Sequence, residues 1–140
     1  SNPRRMSAGF ELNRLILLLA VLEKKAYLSL ADKDVYINVV GGMRLEERCC
    51  DLAVALCIAS ALIDAPMPKS TVCLGEISLT GEVRGASRME KRAAECARLG
   101  YERLVIPRHA AFKAPNGIEL IRVGTLAEAV KVLTSASSLK

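Results

Sequence analysis

Two adjacent thiols, Cys49 and Cys50, stand where an apolar helical pattern begins, and a helix start is a place where a thiol can be made reactive. Unpaired backbone N–H groups and the helix dipole favour the thiolate there. A nucleophile also needs a base beside it, and no partner base is identifiable around the pair. The competing reading is that Cys49 and Cys50 are packing residues at the start of a buried helix. With Cys57, Cys73 and Cys96 they make five cysteines, an odd number with no CxxC pair. That pattern reads as reduced thiols packed as small hydrophobes in a cytosolic protein, rather than as disulfides or a zinc site. His109 is the single histidine, which leaves almost no raw material for a Ser-His-Asp triad or a His-based metal centre.

Two further groups carry charge that chemistry can use. Glu76 and Glu82 each follow a glycine, Gly75 and Gly81, across a predicted hairpin. Paired carboxylates can do acid–base work, but along a hairpin these two need not converge, and structural use of the glycines is the simpler account. The second group is basic. Arg88, Lys91, Arg92 and Arg98 recur at helical spacing with Glu95 among them, opposite Met89, Ala93 and Cys96, and Arg84 extends the stripe upstream. A solvated charged face is the default explanation. The bias toward cations exceeds what solubility needs, so phosphate contact without base reading is the sharper one.

The elements that must position these residues follow from periodicity. Asn13 is placed to cap a helix running to about Tyr27 through Leu15, Leu18, Leu19 and Leu22. The segment 34–40 alternates at period two and reads as a strand ending at Gly41-Gly42. A helix from about Arg48 to Asp64 is apolar almost all round and rich in small residues, as for a central, buried helix. Strands are expected over 71–79, 82–84, 102–106 and 118–123, and helices over 89–99, closed by Gly100, and 126–133, capped by Thr125. The order α-β-α-β-β-α-β-β-α favours a layered α/β domain. Residues 1–9 are polar and basic and read as a linker or lead-in segment, 10–135 as the domain, and 136–140 as a tail.

A length of 140 residues with 51% hydrophobic content suits one folded unit with a real core. The few aromatics, Phe10, Phe112, Tyr27, Tyr36 and Tyr101 with no Trp, demand an aliphatic core and argue against stacking platforms for single strands. A net charge of +5 permits nucleic acid or acidic partners without requiring them. The longest apolar run, 15–22, is too short to cross a bilayer. A first residue other than Met reads as a piece of a longer protein.

Several words in order carry a family resemblance. NRLILLLAVLEK, DVYINVVGG, and GEISLTGEVR followed by SRMEKR resemble the C-terminal domain of the RadA (Sms) family of bacterial DNA repair proteins, over about Pro3 to Leu133. That domain is similar to the Lon peptidase domain. The resemblance implies an α/β (α+β) Lon peptidase-like fold, also described as ribosomal protein S5 domain 2-like, with a mixed sheet and packed helices. Lon's nucleophilic serine and its lysine fall on Cys49 and Glu90 here. Glu90 cannot act as a cationic base and would raise the pKa of a neighbouring thiol. Lys91 is one residue on, turned about 100° around the helix.

The implied function is a non-proteolytic scaffold and DNA-binding domain, with Arg84, Arg88, Lys91, Arg92 and Arg98 on phosphates. By the same resemblance the whole protein is a cytoplasmic DNA-dependent ATPase of recombinational repair. It drives branch migration, assembles as a hexameric ring, and has DNA and RecA as partners, with no membrane. ATP, magnesium and zinc belong to its N-terminal ATPase and zinc-binding segments. This chain has no P-loop pattern or four-cysteine cluster, so no cofactor and no ATP hydrolysis are expected of it. Two alternatives stand beside this: a residual Lon-type peptidase with Cys49 as nucleophile, assisted by Lys91, and a purely oligomerising module.

Overall fold

The structure, a computed structural model, describes residues 2–135; the expected tail at 136–140 lies outside them. The chain runs β1 (Arg5–Ala8), α1 (Leu12–Lys25), β2 (Val35–Asn38), α2 (Asp51–Ile63), β3 (Thr71–Cys73), β4 (Glu76–Ile77), β5 (Val83–Arg84), α3 (Met89–Arg98), β6 (Arg103–Pro107), β7 (Glu119–Val123) and α4 (Leu126–Ser135). Short 3-10 turns occupy Val40–Gly42 and Arg48–Cys50. The mixed α/β fold expected from the sequence is present. Its strands are divided among a parallel pair β1-β2, a parallel sheet in the order β3-β6-β7, and an antiparallel pair β4-β5.

Two cores explain the layers. β6 is buried along Leu104, Val105 and Ile106, and its successive side chains face opposite ways. Leu104 and Ile106 join Met89, Ala93 and Cys96 beneath α3. Val105 joins the larger cluster built from α1, α2 and α4, including Leu15, Leu22, Leu56 and Leu126. The β3-β6-β7 sheet is therefore covered on both faces, as parallel sheets usually are.

Several local expectations need correction. The polar lead-in contributes β1, paired in register with β2 from Arg5 opposite Val35 to Ala8 opposite Asn38; the Arg5 guanidinium also donates to the Leu30 carbonyl at 3.0 Å. Helix α1 starts at Leu12 with Glu11 flanking it and no side-chain cap, so Asn13 is inside the helix rather than capping it. Helix α2 exposes Ala53, Cys57 and Ala61, a stripe its uniformly apolar sequence does not betray. The expected strand 71–79 divides into β3 and β4, because the chain bends to cradle the start of α2. There the Gly75 amide donates to the Cys49 carbonyl at 2.9 Å, and the Leu52 amide donates to the Gly75 carbonyl at 3.0 Å. A Cβ at Gly75 would come within 2.8 Å of Val83 Cγ1. Other expectations hold: Gly100 closes α3 with a φ of +93°, and Thr125 Oγ1 accepts from the Glu128 amide at 3.1 Å.

Candidate nucleic-acid interface

The start of α2 is closed on itself. Cys49 and Cys50 lie in the 3-10 turn that precedes the helix, and Cys49 is 4% exposed. Its thiol donates to Glu47 Oε2 at 3.3 Å. Burial, and then this bond to an acceptor that prefers the neutral thiol, push the Cys49 pKa up to about 11. Glu47 is held below the usual carboxylate range by the Cys49 thiol and by Arg92, whose guanidinium approaches Glu47 Oε2 at 2.8 Å. One residue on, Asp51 is 1% exposed. Arg14 forms a bidentate pair with it, donating from Nε at 3.0 Å and from a terminal nitrogen to the second oxygen. The same carboxylate accepts from the Ile77 amide at 3.1 Å, and Arg14 reaches the Ile77 carbonyl at 3.1 Å. This lock ties α1, α2 and β4 together.

The basic stripe is divided by its partners. Arg92 is half-buried, bound to Glu47 and to the Ser87 carbonyl at 3.0 Å. Arg84 pairs with Glu82 at 3.2 Å, and Arg98 with Glu95, its Nε donating at 2.9 Å. Arg88 and Lys91 are exposed, and among the described residues neither has a carboxylate at ion-pairing distance. Glu90 is exposed between them. The structure thus gathers Arg84, Arg88 and Lys91 around the start of α3, turns Arg92 inward to the loop before α2, and leaves Arg98 at the far end of the helix.

Comparison with known proteins decides the family. A family model described as subunit ChlI of Mg-chelatase matches residues 17–110. The chain belongs to this family. The chain is similar to DNA repair protein RadA of Bacillus subtilis (strain 168), 46% identical over 132 residues, and of Listeria monocytogenes serovar 1/2a, 39% identical over 132 residues, each covering 93% of the chain. DNA repair protein RadA of Escherichia coli (strain K12) is 41% identical over 133 residues and covers 94%. The chain spans 29% of the length of each of these relatives. The resemblance to the C-terminal Lon-like domain of RadA, read from the sequence motifs, is thereby shown.

In this ChlI-family chain, sequence reasoning found Arg84 and Arg88 at the start of α3 but missed the residues that face them. A cleft of about 820 Å³ opens there, lined by Arg84, Arg88 and Met89 on one side and by Pro107 to Phe112 on the other. Arg108 carried no signal of a site, and Phe112 stood out only as a scarce aromatic. No local signal announces that β6 ends beside α3; only the sheet order brings them together. Glu47, partner to both Cys49 and Arg92, carried no sequence signal either. Among the described residues, no group of three or more His, Cys, Asp or Glu is placed to hold a metal, and no helix is long and apolar enough to cross a membrane.

Proposed function

We propose that the chain is a non-proteolytic, Lon-like scaffold domain of a RadA-type DNA repair protein, and that it contacts DNA phosphates through the start of α3. The observation that carries this is Arg88 and Lys91, both exposed and both without a carboxylate at ion-pairing distance among the described residues. Cations not held in a close ion pair are the ones available to displace counterions from a phosphate backbone. Arg84 lies at the edge of the same surface, and like Arg92 and Arg98 it is occupied by a carboxylate and contributes less. The relatives' printed name supports a role in DNA repair. ATP hydrolysis, magnesium and zinc binding, branch migration, the hexameric ring and the RecA partnership are assigned to the longer, cytoplasmic protein of which such a domain is part.

Peptidase chemistry is not proposed. The Cys49 thiol donates to a carboxylate and is pushed up to about 11, the reverse of what activates a nucleophile. The test of the binding reading is Arg88→Glu with Lys91→Glu in the longer protein that carries the domain. DNA affinity at low salt should fall about tenfold or more, and the log–log salt slope should shrink by about two. Unchanged affinity and slope would overturn the assignment. One observation favours assembly as a second role: Met6 and Tyr36 are register partners on the β1-β2 pair and are 56% and 57% exposed. Met6→Asp with Tyr36→Asp should lower the oligomeric mass in sedimentation if that face packs on another copy.

A further inference from the structure

The cleft beside α3 has a chemistry that a plain basic surface lacks. It lies outside the carboxyl ends of the parallel strands β6 and β7, bounded by the turn after Pro107 and by Gly124-Thr125. Its volume of about 820 Å³ falls in the range of small-ligand sites. Arg84, Arg88 and Arg108 bring cations to the cleft, while Met89, Ala110 and Phe112 supply apolar surface. Phe112 is half-buried against the smaller core, which fixes its position. Acids are present too: Glu82 holds Arg84, Glu128 holds Arg108, and Glu90 sits on the lining.

Arg88 distinguishes the site. It occupies the left-handed region at φ 61° and ψ 36°, and it makes no side-chain cap on α3. A long side chain in that conformation is strained, and such strain persists where the surroundings hold it, often at binding sites. No side chain caps α3, so its first-turn N–H groups have no side-chain acceptor, and Arg88, Met89 and Glu90 of that turn all line the cleft.

We propose that this cleft seats one nucleoside-phosphate unit, with the phosphate at Arg88 and the start of α3 and the base against Phe112. This deepens the phosphate-contact reading and rests on it. It also revises the expectation that scarce aromatics exclude stacking, since one well-placed ring is enough for one base. The unit comes either as free nucleotide or as part of a DNA strand, and the two sources are separable by experiment.

The test is fluorescence anisotropy of the chain with labelled oligothymidylate and with an abasic oligomer of equal length and charge. Oligothymidylate should bind about tenfold more tightly, the scale of one base on one aromatic ring. Phe112→Ala should abolish that preference and leave abasic binding unchanged. Equal affinity of the two oligomers in the unaltered chain overturns the base seat while the phosphate reading stands; absence of binding to both overturns the two together. Competition by thymidine monophosphate identifies free nucleotide as an accepted ligand, and a base preference without such competition assigns the seat to a unit within a strand. Should Phe112→Ala fail to fold, amide shifts in the unaltered chain on adding oligothymidylate serve instead: shifts beyond those of the abasic oligomer at 88–90 and 109–112 support the seat, and their absence there overturns it.

Discussion

The starts of α2 and α3 are neighbours joined by the Arg92–Glu47 pair, yet they are built on opposite principles. At α2 the polar groups are consumed inside the protein: the Cys49 thiol by Glu47, Asp51 by Arg14 and the Ile77 amide. At α3 the geometry leaves Arg88 and Lys91 exposed and a cleft open beside them. In the family resemblance, the position of a nucleophile falls on the first region and that of its base on the second. Two helix starts in one fold are thus built differently, one closed by internal partners and the other left with exposed cations beside an open cleft.

The largest effect should come from breaking the closed half. Asp51→Ala leaves the Arg14 guanidinium and the Ile77 amide without their carboxylate. Removing one member of a buried pair typically costs about 3–5 kcal/mol, and urea unfolding of the chain should show a loss of that size. Arg14→Met combined with Asp51→Leu should recover a good part of it, because the uncompensated charge is gone. A loss below about 1 kcal/mol for Asp51→Ala would mean that the lock is not what holds the α2 start.

The next effect concerns the thiol. With its pKa pushed up to about 11, Cys49 should be alkylated by iodoacetamide on the order of a hundredfold more slowly at pH 8.5 than an ordinary thiol. Exposed Cys57 provides the internal comparison by mass spectrometry. The native state favours the protonated thiol, so this contribution to stability is complete below the ordinary thiol range and is lost as the pH rises toward about 11. Cys49→Ala should reduce that alkaline decline without abolishing it, because burial also pushes the Cys73 thiol up to about 12. Selective labelling of Cys49 near neutral pH would instead restore a nucleophilic reading and erase the contrast between the two helix starts.

A third effect separates the cations by their partners. Arg88→Ala should weaken DNA binding by several-fold, whereas Arg92→Ala should weaken it less, because Arg92 is occupied by Glu47 and the Ser87 carbonyl. Equal losses in a filter-binding or anisotropy assay would make the stripe a uniform surface after all.

How much of this was legible beforehand differs between fold and site. Helices α1, α2 and α3 declare themselves because Leu15, Leu18, Leu22 and then Met89, Ala93, Cys96 recur at the helical period and are buried where that period predicts. Strand β1 stayed hidden because a polar edge strand buries too little for its sequence to show it, and its identity comes from pairing with β2. The break at Gly75 was invisible for a similar reason: it serves the close approach of the α2 start, a contact distant in sequence. At the site, charge was legible and pairing was not. Nothing in the spacing of Arg88, Lys91 and Arg92 reveals that Glu47, from a loop before α2, forms its ion pair with the last of them, while Arg88 acts on it only at longer range.

The smallest effect is the most discriminating. Arg88 stands at φ 61°, a conformation that glycine adopts at little cost and an arginine adopts with strain. Arg88→Gly should therefore stabilise the chain by up to about 1 kcal/mol in urea unfolding, while weakening its affinity for DNA. At Arg92, by contrast, truncation removes an ion pair and a bond to a backbone carbonyl, so stability should fall. Opposite signs at two arginines four residues apart would separate structure from binding more cleanly than either loss alone, since a variant that binds less while folding better cannot owe its defect to damage. If Arg88→Gly instead destabilised the chain, the guanidinium would be supporting the fold, and the α3 start would belong with α2 among the closed regions.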